Sequence, residues 1–266
     1  MNKRLFLALA VVAMFATNSV MAWGGFGHGA IAYVAEQHLT PEAKQKCRYY
    51  LKHTLPYYAS WMDHWRGIAK FRKVNNPHSF KTTPDGGDVD WSGNPSGLVL
   101  GHYVAAMKEL GNGNYKNLPD SVVRQRLINM IHYIPDFHCP VHVGFPKKEF
   151  PHYRYSIYKN GKKVKYHGFW DGSPGFTRKN WTFERYAAEV DKVTPKQKKK
   201  WVKGSIERWG RDIIKQAHRC YKITPAGTDI AHLTEEQKRQ VLELADEQAM
   251  KAAYRLAHTL NTIFAE

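Results

Sequence analysis

The sequence predicts a mainly helical fold, and three observations carry that expectation. Helix-start signals recur along the chain, apolar residues between them repeat at helical spacing, and only one stretch alternates as a strand does. Thr40-Pro41-Glu42 opens a helix, with Thr as N-cap and Pro in the first turn. Asp120-Ser121 opens another, whose apolar stripe is Val123, Leu127, Ile128, Ile131 and Ile134. Thr194-Pro195-Lys196 repeats the Thr-Pro signal, and the basic run from Lys196 to Lys200 reads as a solvated helix face. Thr234 and Gln237 form a capping box. After it, Val241, Leu244, Ala245, Ala252, Leu256, Leu260 and Ile263 recur at helical spacing, so the last helix is long and half buried. All these stripes are read as core. The exception runs from Tyr153 to Tyr166, where alternation is split by Asn160-Gly161, a strong turn signal. A small β-hairpin is therefore expected around residues 153–166. From Gly67 to Gly97 the chain is rich in Gly, Pro, Asn and Asp and reads as a long ordered loop.

Residues 1–22 stand apart. Lys3 and Arg4 make a basic start, and Leu5 to Ala16 is an apolar run shorter than the ~20 residues a membrane span needs. Val20-Met21-Ala22 suits a cleavage site, so the segment reads as a signal peptide removed after Ala22, the alternative being a membrane anchor. Residues 23–266 are then expected to form one catalytic domain, secreted or periplasmic, without stable membrane association and monomeric.

The formal charge of the 266-residue chain is +17, and +15 without Lys3 and Arg4. An excess of this size favours a polyanionic partner: nucleic acid, an anionic membrane surface or acidic polysaccharide. The three cysteines, Cys47, Cys139 and Cys220, allow at most one bridge, so the fold cannot depend on a disulfide framework.

Chemistry gathers where the 14 histidines cluster. His132, Asp136, His138 and His142 fall within eleven positions. His132 and Asp136 stand four apart near a helix end, which puts an imidazole and a carboxylate on one face. His142 follows Pro140 from the next loop, and His167 and Asp171 repeat the spacing of four. Asp63 and His78 flank the loop-rich stretch. Zinc prefers imidazole and carboxylate ligands. Crowded groups of this kind need a compensating cation, and a multi-metal cluster, which can clamp a phosphate and activate water, would use them all. A single His-x-x-x-Asp pair is more often a surface ion pair or a satisfied core histidine; two pairs with His142 within forty residues favour metal. Cys139, followed by Pro140, reads better as a small buried thiol than as a ligand or nucleophile.

These residues resemble, in order along the whole mature chain, the S-one/P-one type of zinc-dependent, single-strand-preferring nucleases. Trp23-Gly-Gly-Phe-Gly-His28 looks like that family's processed N-terminus, and Ala59-Ser60-Trp61-Met62-Asp63 like its Ala-Ser-Trp-Ala-Asp motif. His78 keeps the spacing of fifteen after Asp63. His132, Asp136, Pro140 and His142 fit the His-x-x-x-Asp-x-His-x-Pro-x-His signature. His167 to Asp171 resembles the next ligand segment, and Ala253 to Ala257 with Leu260-Asn261 the last helix. The resemblance implies a helical fold of the phospholipase C/nuclease type and three zinc ions. One would take Asp63, His78, His132 and Asp136; a second His142, His167 and Asp171; a third the amino group and carbonyl of Trp23, with His28 and a shared Asp136. It further implies endonucleolytic hydrolysis of single-stranded DNA and RNA at the bond between phosphorus and the 3′ oxygen, leaving 5′ phosphates. Asp63 would orient the attacking water. Arg66, otherwise an ordinary surface Arg, would stabilise charge on the phosphate.

Departures from the pattern fall outside the ligands. After His78 comes Ser79-Phe80-Lys81-Thr82-Thr83-Pro84-Asp85, as though one residue were inserted. Phe80 is open between a base-stacking and a core role, and Lys81 could meet a phosphate. Pro135 replaces a usual Gly and is expected to kink its helix. Cys139 replaces a usual Gln. The competing expectation is a zinc phospholipase C, which shares the fold type and a processed Trp but typically ends its ligand set in Glu where Asp171 stands here. A second competitor is a metal- or polyanion-binding protein that does not turn over substrate.

Overall fold

The computed structural model describes residues 23–65, 78–83, 85–87, 89, 91, 98–145 and 156–265. The expected signal peptide, Arg66 and most of the Gly67–Gly97 loop lie outside the described residues. Helices dominate: α1 (Gly24–Gln37), α2 (Pro41–Leu51), α3 (Leu55–Tyr58), α4 (Trp61–Trp65), α5 (Leu98–Leu110), α6 (Asp120–His138), α7 (Tyr166–Asp171), α8 (Phe183–Val190), α9 (Pro195–Val202), α10 (Ile206–Ile223) and α11 (Glu235–Ile263). The fold is mainly α, as the periodicity predicts. No described helix is long and apolar enough to cross a membrane.

The helix starts obey the capping signals. Thr40 accepts a hydrogen bond from the Ala43 N–H with Pro41 behind it, and both Thr194–Gln197 and Thr234–Gln237 close reciprocal capping boxes. The box at Thr194 was not foreseen; only its Thr-Pro pair was. α9 buries none of its residues, which makes the lysine run a solvated face. The long α11 packs along α1 and α6, and every residue of the two predicted stripes is buried there. Gly29 lets α8 approach α1, since a Cβ at that position would fall 2.2 Å from the Phe183 ring. All three cysteines are free and buried.

Two small two-stranded sheets complete the described structure. β3 (Ser156–Lys159) and β4 (Lys162–Lys165) form the expected antiparallel hairpin. Asn160 and Gly161 both take positive φ, 51° and 73°, as a tight two-residue turn requires. Asp229 accepts from both turn N–H groups. The hairpin is shorter than its expected span. Residues 153–155 lie outside the described set, and Tyr166 opens α7 instead of closing a strand because its ring is buried flat against Tyr221. The other sheet was not legible in the sequence: β1 (Phe80–Lys81) pairs in parallel with β2 (Val143–Gly144). Two residues per strand carry no periodicity, yet this pair sets the loop after His78 beside the turn that carries His142.

Candidate metal centre

Six pieces of chain meet around Asp136, counting its own helix. α6 supplies His132 and Asp136 one turn apart, both fully buried. The helix runs through Pro135 and ends three residues later, at His138. A 3₁₀ turn, Pro140–His142, then swings His142 back toward the same point. α1 brings fully buried His28, α4 brings Asp63, the β1 edge brings His78, and α7 brings His167 and Asp171 at i,i+4 spacing. Trp23 is pinned beside them: its indole N–H donates to the Pro135 carbonyl at 2.7 Å, one residue before Asp136. The Trp23 backbone is in the left-handed region, and its carbonyl accepts the first α1 hydrogen bond, from Gly27 N–H.

Asp136 faces two ways. Its Oδ2 meets His78 Nδ1 in a short contact and lies 3.2 Å from His132 Nε2, while its Oδ1 lies 3.2 Å from His28 Nε2. Asp63 stands 3.9 Å from both His78 Nδ1 and His132 Nε2. Beyond His78, His142 Nε2 lies 3.1 Å from His167 Nε2 and 3.6 Å from Asp171 Oδ1, and His167 Nε2 lies 2.9 Å from Asp171 Oδ2.

Backbone carbonyls decide which ring atoms point inward. His132 Nδ1–H donates to Ala59 O at 2.7 Å, and His142 Nδ1–H donates to His78 O at 2.7 Å. In the neutral rings each Nε2 is then a bare lone pair aimed into the cluster. Those lone pairs meet other imidazoles and carboxylates: His132 Nε2 lies 2.8 Å from His78 Nδ1. His28 stacks on His132 with ring centroids 4.4 Å apart, and neither of its nitrogens has a hydrogen-bond partner among the described residues. Asp136 Oδ1 and Asp171 Oδ2 are buried too, and the imidazole nitrogens of His28 and His167, 3.2 Å and 2.9 Å away, stand outside hydrogen-bond geometry to them. Converging lone pairs repel unless protons or cations stand between them. The donor set, nitrogen and carboxylate oxygen, is the one zinc takes, and bonds of about 2.0–2.2 Å hold ligands roughly 3–4 Å apart. The residues fit a metal centre on donor chemistry, spacing and orphaned atoms alike.

The chain matches the family model for S1/P1 nuclease over residues 23–265. It belongs to the S1/P1 nuclease family. No curated protein matches it by sequence. Membership makes it a nuclease, a hydrolase, and its buried His and Asp groups are able to hold metal.

Several neighbours of this nuclease's cluster could not be read in advance. Cys139 is buried as expected, but its Sγ lies 3.4 Å from Asp171 Oδ1 and joins His142 and Asp171 as a group able to hold an ion. Its adjacency to Asp171 depends on where α7 docks, which no local signal encodes. His138 turns away from the cluster: its Nδ1–H donates to Ile134 O and its Nε2 accepts from Arg255 at 2.8 Å. Phe80 resolves to core, 1% exposed with its ring against Phe137. Asp85 is exposed and accepts from the Thr83 hydroxyl and the Gly87 N–H within its own turn. Trp170 anchors α7 through an indole hydrogen bond to Thr224.

Electrostatics show what a metal would replace. Burial opposes charge on His132, yet the Asp136 carboxylate beside it prevails and lifts the imidazole to about 9. His142 is raised in the same way, against burial, by Asp136 and Asp171. Burial alone would raise Asp136, but His132, His78 and His142 hold it well below the carboxylate range. Burial and neighbouring His132 push His28 down. Without a cation, then, protons on His132 and His142 compensate the acids. An imidazole raised in the fold adds stability below its ordinary value of 6.5, and that stability is lost as pH climbs through the folded value, about 9 for His132. His28 and His138, both lowered, act only below 6.5. Chelator-treated protein should therefore lose Tm as pH rises from 6.5 to 9, and zinc added at pH 8 should restore it while releasing protons to an indicator dye. A flat Tm across that window would show that the cluster does not store protons in place of metal.

Proposed function

We propose that residues 23–266 form an exported, zinc-dependent endonuclease that hydrolyses single-stranded DNA and RNA to 5′-phosphate products. The observation that carries this is the convergence of buried lone pairs on both oxygens of Asp136, in a chain of a nuclease family. Three zinc ions would share the ligands. Asp63, His78, His132 and Asp136 would hold one, and His142, His167 and Asp171 a second. The amino group and carbonyl of Trp23 would hold a third with His28 and Asp136. Trp23's anchorage to Pro135, and the 3.2 Å contact of His28 with Asp136 Oδ1, support that last set.

Zinc in such a site neutralises phosphate charge and makes water a stronger nucleophile. The chain's own residues do the rest. Asp63, at the edge of the cluster, orients the attacking water and takes its proton. The water oxygen bonds to phosphorus, the P–O3′ bond breaks, and the departing 3′ oxygen gains a proton. Arg66 meets charge developing on the phosphate. The carbonyls of Ala59 and His78 keep two imidazoles turned inward, so the ligands need no rearrangement when substrate arrives. The basic excess of the mature chain steers polyanionic strands toward it.

Purified mature protein offered single-stranded DNA, RNA and phosphatidylcholine, with metal analysis of the same sample, tests this reading. Chelator-sensitive cleavage of nucleic acid to 5′ phosphates is expected, reduced at least about a hundredfold by His132→Ala. Lipid turnover without nucleic-acid cleavage would overturn it. Export gives Trp23 a free amine, so one residue added before Trp23 should remove about one zinc per chain and most of the activity. Undiminished zinc content and rate in that variant would remove Trp23 from the ligand set.

A further inference from the structure

A second concavity, of about 440 Å³, opens between α9, α10 and α11, lined by residues none of which is assigned above to the metal cluster. Seven of its ten lining residues are Lys or Arg, against 40 in the 266 residues of the chain, so the clustering exceeds the general basic excess. Its floor is Lys251 and Arg255, one turn apart on α11 and each 4% exposed. Both acids in the lining are already engaged by Lys251, whose ammonium lies 2.7 Å from Asp212 and 2.8 Å from Glu247. Arg255 donates to the Trp201 carbonyl and to His138. The rim differs. Lys200, Lys203, Arg208 and Lys215 are exposed and have no acidic partner among the described residues.

Held around one hollow, such cations repel one another; in the floor, burial above all pushes the Arg255 guanidinium down to about 10, Asp212 pulls it up, and Arg208 adds a smaller push down. A bound polyanion relieves that repulsion and releases counterions. Through His138 the floor is tied to the last turn of α6, two residues beyond Asp136. We propose that this concavity binds backbone phosphates of the single-stranded substrate, away from the bond being cut, as an electrostatic groove that tracks the strand without reading its bases. The proposal rests on the nuclease reading for the identity of its ligand, and on the cation arrangement for the site.

The test is binding of a labelled single-stranded DNA to the full mature chain carrying Asp63→Asn, followed by anisotropy across salt concentrations. This background keeps the strand intact if the protein is a nuclease, and Asp63 is not among the residues that line the concavity. The triple variant Lys200→Ala, Lys203→Ala, Lys215→Ala should weaken binding several-fold and make the slope of log K against log salt shallower by about 2, three contacts at roughly 0.7 each. A control triple on the hairpin, Lys159→Ala, Lys162→Ala, Lys163→Ala, removes the same charge elsewhere and should change the slope by less than half as much. Equal effects of the two triples, or none from the first, would overturn the site. Loss of strand cleavage in the wild-type chain, with the first result intact, would instead fault the nuclease reading alone.

Discussion

Everything around the centre turns on how one buried carboxylate is shared. Asp136 is wholly removed from water and meets His78 and His132 with one oxygen and His28 with the other. A bare carboxylate in that position would carry an uncompensated desolvation cost of several kcal/mol. The imidazoles offset it either by holding protons or by yielding their lone pairs to metal. Because His132 and His142 have their other nitrogens committed to carbonyls, the second option is built into the fold.

The architecture around Asp136 follows from that demand. α11 provides the surface on which α1 and α6 lie, so His28 and Asp136 are fixed by core packing and not by loops. Trp23 adds a lock, its indole filling the core while its N–H takes the carbonyl of Pro135. The short β1–β2 pair then joins the segment after His78 to the one after His142, so that two chain pieces 64 residues apart share a hydrogen bond between the His142 ring and the His78 backbone. Sites built on rigid elements hold their geometry better than loop sites, and among the described residues of the cluster only His167 is substantially exposed, with 38% of its side chain accessible.

Much of this was legible from local signals. The caps at Thr40 and Thr234, the stripes of α6 and α11, and the Asn160-Gly161 turn all act over a few residues, and each appears where its physics puts it. Of the candidate ligands, His132, Asp136, His142, His167 and Asp171 were legible from residue type and spacing, whereas Trp23, His28, Asp63 and His78 were singled out as ligands only by the family resemblance. What the sequence could not convey is contact between distant segments: the β1–β2 pairing, the closeness of Cys139 to Asp171, and the diversion of His138 to Arg255. His138 is the instructive case. It sits inside the motif, two residues from Asp136, yet the helix turns it to the opposite side, where Arg255 and not the cluster claims it. Phe80 was open between two roles until its partner Phe137 was known.

The account stands most directly on what occupies the space between these lone pairs. Diffraction from crystals of the mature protein, collected on either side of the zinc absorption edge, locates bound zinc without reference to activity. Three anomalous peaks are expected, two of them beside Asp136 and one among His142, His167 and Asp171. Catalytically active crystals with no anomalous peak beside Asp136 would contradict it.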